Sequence, residues 1–195
     1  MINRNSSVFP LILVFFALSA CTPDYYPKPK GYNRLELPVP SFVNLPDTFP
    51  YSFQYSAHAQ LLRDSSWISE KYWIDLFYPD LGANVQVTYK PIRGLDQLLQ
   101  EYQDDSYKLT SKHQVKAYSI EDTKVLLPNG DVAMVTELEG EVPSQFQFYV
   151  TDSVQHFLRG ALYFKTATRN DSLAPAIEYM KQDIMHMLNT LRWTN

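Results

Sequence analysis

Apolar and polar side chains alternate with a period of two residues through much of the chain after Pro50. The clearest runs are residues 51–61, 71–78, 84–90 and 145–150. Successive side chains of a β-strand point to opposite faces, so this alternation predicts strands with one buried face. Turn signals join some of these runs into hairpins. One hairpin spans residues 71–90, and Asn129-Gly130 joins another between strands near 116–127 and 131–139.

Two further segments repeat their apolar residues with the period of a helix. The first contains Leu95, Leu98, Leu99, Tyr102 and Leu109, and the second contains Ile177, Met180, Ile184, Met187, Leu188 and Leu191. Each set forms one apolar stripe, which predicts two amphipathic helices. Ser172 is a suitable cap for the second helix, and Pro175 is tolerated in its first turn.

The segment from His156 to Phe164 is apolar on nearly both faces, which predicts a central strand covered on both sides. The complete order is three strands, a helix, four strands and a helix. This order predicts one α+β domain over residues 51–195, with a mostly antiparallel sheet of about seven strands and two amphipathic helices. The order also resembles that of the Mog1/PsbP-like sandwich, in which the terminal helix closes the sheet.

Residues 1–20 have the layout of a secretory signal. Arg4 precedes a mostly apolar run from Val8 to Leu18, which is shorter than the roughly 20 residues that a membrane-spanning helix requires. The run ends in Ser19-Ala20-Cys21, which resembles the bacterial lipobox. The resemblance implies that Cys21 is acylated and that its lipid anchors the mature protein to a membrane. The alternative is an ordinary signal peptide with a chance cysteine.

Proline is concentrated after Cys21, because seven of the thirteen prolines fall between Thr22 and Pro50. Proline blocks the hydrogen bonds of helices and sheets alike, so residues 21–50 are predicted to form an extended tether. Apolar residues such as Leu37 and Phe42 indicate that parts of the tether dock on the domain or on a partner.

Charge and cysteine content exclude several classes of function. Loss of residues 1–20 removes Arg4 and changes the formal net charge from −4 to −5, which gives no electrostatic footprint for nucleic acid. Cys21 is the only cysteine, so the domain has no disulfide, thiol nucleophile or thiolate metal ligand. Neither a metal-ligand spacing of histidines nor a phosphate-binding loop is present, so no metal and no cofactor is expected.

Two polar clusters contain residue types used in ion binding or catalysis. Three glutamates alternate along residues 137–141, where they would bind a cation, although such a face is more often solvated. Asp152, Ser153 and His156 are the residue types of a hydrolase triad. No G-x-S-x-G elbow accompanies them, and a polar turn between two strands explains Asp152 and Ser153 better.

Arg159 interrupts the otherwise apolar strand of residues 156–164. A guanidinium keeps its charge, so it requires a carboxylate or several carbonyl groups as partners. A structural ion pair with one of the strand glutamates is the favoured interpretation, and a ligand-anchoring arginine is the alternative. Gly160 beside it would let a helix or a ligand approach the backbone.

Three other residues are candidates for interaction or ligand binding. His113 and His156 are the histidines to consider for a metal or catalytic role. Trp73 belongs to a group of aromatic residues between 67 and 78 that would form either part of the core or a stacking platform for sugars or peptides.

Several stretches of the sequence are distinctive. They are the lipobox with Tyr26-Pro27-Lys28-Pro29-Lys30-Gly31-Tyr32, then Trp73-Ile74-Asp75, Tyr89-Lys90-Pro91-Ile92, residues 112–117, residues 146–164 and Asp171-Ser172-Leu173-Ala174-Pro175. Together they resemble the gliding-motility lipoprotein GldD family of Bacteroidetes. The resemblance implies a membrane-anchored accessory protein needed for gliding and for the associated type IX secretion machinery. The family supplies no catalytic residues.

The first functional hypothesis is a non-enzymatic lipoprotein that contacts other proteins of the gliding and secretion machinery. Its lipid would anchor it to the cell envelope, facing the periplasm, with the choice between inner and outer membrane left open. The second hypothesis is a periplasmic module that binds a glycan or a peptide near Arg159. The third is a hydrolase that uses Ser153 and His156 or a pair of carboxylates. The lack of a credible catalytic set favours the first hypothesis.

Overall fold

The computed structural model describes residues 36–165 and 170–194. Cys21, the predicted signal and the first part of the predicted tether therefore lie outside the described residues. Within the two described ranges, the chain forms eleven strands and two helices.

A seven-stranded antiparallel sheet forms the centre of the fold. Its strands are β4 (Gln60–Arg63), β5 (Ile74–Tyr78), β6 (Ala83–Pro91), β7 (Ala117–Leu126), β8 (Val132–Gly140), β9 (Phe146–Thr151) and β10 (His156–Phe164). They lie in the order β4-β5-β6-β10-β9-β8-β7, so the predicted sheet and both predicted hairpins are confirmed. The central position predicted for β10 is also confirmed, since it is fourth of seven and Leu158 and Leu162 are fully buried.

The C-terminal helix α2 (Asn170–Asn189) covers the apolar face of the sheet. Met180, Ile184 and Leu188 of its predicted stripe are buried in one core with Leu76, Val85 and other side chains of the sheet. The predicted amphipathic character of this helix is therefore confirmed. In the described ranges, neither helix combines the length and the apolar character that crossing a bilayer requires.

The prediction of one continuous strand over residues 51–61 is wrong. The chain forms β2 (Tyr51–Ser52), β3 (Gln54–Ser56) and then β4, with a turn at residues 57–59. Each short strand has its own partner: β3 pairs with β1 (Phe42–Asn44), β2 pairs with β11 (Arg192–Trp193), and β4 pairs with β5. Alternation shows which side chains are buried but not which strand lies alongside, so the breaks were not visible in the sequence.

The packed fold begins before residue 51. Strand β1 lies within the predicted tether, and Leu45 just after it is 2% exposed. The ring of Phe42 stacks on that of His186 in α2, with 3.6 Å between the ring centroids. The expectation that parts of the proline-rich segment dock on the domain is thus confirmed for these residues.

The first predicted helix is present as α1 (Asp96–Ser111), but its apolar stripe is not buried as a stripe. Leu95 and Leu109 are 54% and 40% exposed, and the buried residue of the helix is Ser106. The reason lies in the sheet face that α1 covers. That face carries several polar side chains, and its apolar surface includes Phe157, against which Tyr102 of the stripe packs.

Candidate functional site

One face of the sheet carries a row of six side chains, five of them polar, that crosses six strands. Directly paired positions run from Asp75 through Gln86, Ala161, Gln147 and Thr136 to Asp122. Residues directly opposite each other in antiparallel strands place their side chains on the same face. We call these six residues the polar row, and the side of the sheet on which they lie the polar face.

The neighbouring row of paired residues lies on the opposite face and is apolar. It consists of Ile74, Val87, Gly160, Phe148 and Val135. Its side chains belong to the core that α2 covers. An antiparallel sheet commonly leaves its polar face to water. Here a helix lies across that face instead.

Helix α1 contacts β10 on the polar face, and a cavity lies on each side of it. The first cavity measures about 330 Å³ and lies between α1 and strands β7, β8 and β9. The second measures about 350 Å³ and lies between α1 and strands β5 and β6. Ser106 and Arg159 line both cavities. Cavities of this size accept small ligands.

Arg159 lies on β10 with its side chain on the polar face, and its Nη2 donates a 2.7 Å hydrogen bond to Oε1 of Gln147. Among the described residues, no carboxylate lies within 4.0 Å of the guanidinium, so the predicted ion pair with a strand glutamate is not formed. Glu137 follows Thr136 along β8 and therefore faces the other side of the sheet. There it pairs with Lys181 of α2.

The charge of Arg159 is only partly compensated. Burial lowers the pKa of its guanidinium, while the hydroxyl of Tyr163 favours the charged form. Arginine stays protonated even so, because its ordinary pKa lies far above neutral pH. Gln147 and Tyr163 are polar but uncharged partners. Within the part of the chain that the structure describes, the cation therefore has no counter-ion at contact distance.

Gln147 is 2% exposed and links Arg159 to α1. Its Oε1 also accepts a 3.1 Å hydrogen bond from the hydroxyl of Thr110. Two donors on Oε1 fix the orientation of the amide. Its Nε2 then finds no acceptor among residues 36–165 and 170–194. A buried donor without an acceptor costs about 1–3 kcal/mol, and this N–H group has less than 1 Å² of accessible surface.

The far end of the first cavity carries the opposite charge. Asp122 of β7 lines it and accepts a 2.5 Å hydrogen bond from the hydroxyl of Thr136. Arg159 and Asp122 are three strands apart, which corresponds to about 14 Å at the usual spacing between strands. The first cavity therefore has a cationic end and an anionic end.

Two of the predicted candidate residues lie beside this arrangement. Burial lowers the pKa of His113, which follows α1, and the positive charge of Arg159 lowers it further. The imidazole of His113 is therefore neutral at neutral pH. Trp73 lines the second cavity together with Arg159, and its Nε1 donates a 3.0 Å hydrogen bond to the carbonyl oxygen of Tyr89.

The remaining candidate, His156, belongs to a different cluster. Its Nδ1 lies 2.9 Å from the hydroxyl of Tyr89, and its Nε2 lies 4.0 Å from Asp152. Its ring stacks on Trp193 with 4.8 Å between the centroids. Both ring nitrogens are thus directed to residues other than Ser153. The geometry does not assemble the Ser153 and His156 pair that the hydrolase hypothesis requires.

The predicted polar turn between β9 and β10 is confirmed. Oδ1 of Asp152 accepts hydrogen bonds from the backbone N–H groups of Val154, Gln155 and His156, at 3.0, 2.8 and 2.8 Å. Burial raises the pKa of Asp152, but these three donors and His156 outweigh it, so the pKa lies below its ordinary value. The role of Asp152 is thus to hold the turn.

The glutamates of residues 137–141 do not form a cation site with each other. Glu137 is paired with Lys181, as described above. In the described ranges, no group of three or more histidine, cysteine, aspartate or glutamate side chains is placed to hold a metal ion.

Comparison with known protein families decides the identity of the chain. The family model described as gliding motility lipoprotein GldD matches residues 22–193. The chain belongs to the GldD family. Membership gives it a role in gliding motility and, as a lipoprotein, an association with the cell envelope. The resemblance found in the sequence is thereby confirmed. No curated protein matches the chain.

Among solved structures, this GldD-family chain is similar to the solution structure of cyanobacterial PsbP (CyanoP) from Synechocystis sp. PCC 6803. The TM-score is 0.45 and the identity is 12%, over 82% of this chain and 96% of that chain. A likeness at this level concerns the fold alone.

Sequence analysis of this GldD-family chain singled out Arg159 but missed Gln147, Thr136 and Asp122. Gln147 lies at the polar position of an alternating strand, so a signal was present for that residue, but the strands of Thr136 and Asp122 do not alternate. The sequence does not show the pairing register. That register brings Gln147 beside Arg159 and places Thr136 and Asp122 in line with Gln147.

Proposed function

We propose that this lipoprotein acts without catalysis, by contacting other proteins of the gliding and type IX secretion machinery. Its anchor would be the lipid on Cys21, and its domain would face the periplasm. The proposal rests on a set of exposed apolar side chains around the polar face. Their exposed fractions are 96% for Trp67, 52% for Ile68, 66% for Tyr107, 92% for Val115 and 84% for Tyr118.

Two of these side chains line the cavities, and the other three lie within two residues in sequence of a lining residue. Tyr107 lines the first cavity, and Ile68 lines the second. Trp67 precedes Ile68, and Tyr118 lies on β7, the edge strand of the sheet. Grouped apolar and aromatic side chains on a surface are typical of protein contacts. We call the five residues the apolar rim.

Site-specific photocrosslinking in gliding cells tests the proposal. A photoreactive phenylalanine analogue replaces Tyr107 or Trp67 in the full-length lipoprotein. Val39 provides a matched control, because it is 83% exposed but lies beside His58 on the segment that leads to β1. We expect Tyr107 and Trp67 to capture envelope proteins whose own loss stops gliding, and Val39 to capture none of them. Equal capture at all three positions, or none at Tyr107 and Trp67, would contradict the proposal.

The non-catalytic part of the proposal has separate support in the His156 cluster. Tyr89, Asp152 and Trp193 surround the imidazole of His156 and hold it as part of the packing between β10 and the C-terminal strand. Replacement of Ser153 by Ala is therefore expected to leave gliding unchanged. A loss of gliding in a folded Ser153→Ala protein would restore the hydrolase hypothesis.

A further inference from the structure

We propose that the first cavity binds a short peptide. Arg159, which Gln147 holds in position, would bind the terminal carboxylate of the peptide, and Asp122 would accept hydrogen bonds from its amino end. This proposal goes beyond the protein contacts of the apolar rim, because it concerns the floor of the cavity beneath α1.

The cationic end of the cavity has the donors that a carboxylate requires. The guanidinium of Arg159 has five N–H groups, and Gln147 takes a hydrogen bond from one of its terminal nitrogens. The 2.7 Å hydrogen bond to Oε1 keeps the guanidinium and the amide adjacent. A carboxylate in the cavity would accept charge-assisted hydrogen bonds from the N–H groups of Arg159 that Gln147 does not occupy.

The balance of charge favours a carboxylate over a phosphate. Arg159 and Asp122 are the charged side chains that line the first cavity, and their charges are opposite. His113 adds no charge nearby, because burial and Arg159 lower its pKa. A dianionic phosphate would meet one cation and one repelling carboxylate. A molecule with one negative and one positive end matches the cationic and anionic ends of the cavity.

The length of the cavity fits a short peptide. Arg159 and Asp122 lie on strands that are about 14 Å apart, and the side chains of both residues reach into the space between them. An extended peptide advances about 3.4 Å per residue, so two or three residues would span the distance that remains between the ends of the two side chains. The volume of about 330 Å³ is also in the range for a ligand of this size.

The walls between the charged ends offer both kinds of contact that a peptide makes. The hydroxyl groups of Thr110 and Thr136 are hydrogen-bonding partners for a peptide backbone, and both line the cavity. Tyr107 and Tyr149 present aromatic rings for small side chains.

Isothermal titration calorimetry on the full-length lipoprotein in detergent tests the proposal, with trialanine as the probe. We expect saturable binding of trialanine with a Kd below about 1 mM. Trialanine amide is expected to bind at least about tenfold more weakly, because Arg159 loses the carboxylate. N-acetyl-trialanine retains the carboxylate and is expected to lose less affinity. Acetate alone distinguishes a peptide from a simple anion, and acetate binding as tight as that of trialanine would overturn the proposal.

Gln147→Glu is the decisive variant. It retains the oxygen that Arg159 and Thr110 contact, and it adds a negative charge that pairs with Arg159 and repels the carboxylate of the ligand. The protein should therefore stay folded, with an unfolding temperature at least equal to that of the wild type, but bind trialanine at least about tenfold more weakly.

Gln86→Glu is the matched control, because it makes the same change in the same polar row on the other side of Ala161. Gln86 lines the second cavity, so this variant should bind trialanine as the wild type does. The absence of trialanine binding to the wild type, or equal binding by wild type and Gln147→Glu, would overturn the proposal. Equal weakening by both variants would also do so, because it would indicate a general charge effect. Crosslinking at the apolar rim is a separate readout and does not depend on these results.

Discussion

The ring of Phe148 on β9 covers Gly160 on β10, its direct partner across the sheet. A Cβ atom at Gly160 would come within 2.2 Å of two carbon atoms of that ring. The close approach that was expected at this glycine is therefore made by an aromatic side chain of the neighbouring strand. Phe148 is 2% exposed and belongs to the core under α2.

We expect Gly160→Ala to lower the free energy of unfolding. The added methyl group cannot coexist with the ring in its present position, and overpacking of this kind costs about 1–3 kcal/mol. Urea unfolding followed by tyrosine and tryptophan fluorescence measures the change. The same substitution in a Phe148→Leu background is the control, because a smaller side chain leaves room for the methyl group. Equal costs in both backgrounds would show that the two residues do not interact.

Much of the fold followed from the sequence because strong periodic patterns and turn signals are local properties. The strand of residues 156–164 was recognisable as central because apolar residues occupy nearly both of its faces. The helix α1 was recognisable from the spacing of its leucines, but their exposure was not. Exposure depends on the sheet face beneath α1, which is formed by the pairing of several strands.

The candidate site was less accessible to sequence analysis for the same reason. Arg159 stood out because it interrupts an apolar strand. Its partner Gln147 is twelve positions away, and the pairing register of β9 and β10 brings the two side chains together. A residue pattern along one strand carries no information about register, so the sequence suggested a glutamate on β8 that in fact faces α2.

The turn between β9 and β10 depends on one carboxylate. Asp152→Ala would leave three backbone N–H groups without their acceptor, and we expect it to lower the free energy of unfolding at pH 7 by about 1–3 kcal/mol. The pKa of Asp152 in the folded protein is below its ordinary value. The contribution of the Asp152 carboxylate to the free energy of unfolding is therefore present above its ordinary pKa. It is lost as the pH falls through the lower pKa of the folded protein.

Urea unfolding of wild type and Asp152→Ala between pH 3 and pH 7 measures this difference. The difference in the free energy of unfolding between the two proteins should shrink as the pH falls. Ser153→Gly is the control in the same turn, because Ser153 has a φ of 63°, which glycine adopts without strain. We expect this variant to be at least as stable as the wild type. A constant difference between wild type and Asp152→Ala at all pH values would show that the charge of Asp152 is not involved.

Asp183 of α2 has the opposite dependence on pH. It is 4% exposed, and burial raises the pKa of its carboxyl group, while the hydroxyl groups of Tyr78 and Ser56 partly oppose the rise. The folded protein therefore binds the proton of this group more tightly than the unfolded chain. The stability that Asp183 gains from this proton is present below the pKa of the unfolded chain, which is near 4. It is lost as the pH rises through the higher pKa of the folded protein.

Asp183→Asn keeps one acceptor oxygen and removes the charge. We expect it to be more stable than the wild type at pH 7 and to lose this advantage as the pH approaches about 4. Thermal unfolding followed by circular dichroism at several pH values measures the stability at pH 7 and its change with pH. Asp183→Leu, which removes the acceptor as well, separates the effect of charge from that of hydrogen bonding to Tyr78. An Asp183→Asn protein that is less stable at pH 7 would show that the buried carboxylate is well compensated.

Anchoring at Cys21 is the last prediction, and it concerns the proposed function. Cys21→Ser removes the thiol that would carry the lipid, and it changes none of the described residues 36–165 and 170–194. We therefore expect the variant to fold with an unchanged far-UV circular dichroism spectrum but to leave the membrane fraction and abolish gliding. A single acyl chain binds membranes only reversibly, so the several chains of a lipoprotein are what make the attachment stable. Normal gliding by an unlipidated, soluble form would show that proximity to the membrane is not what the tether provides.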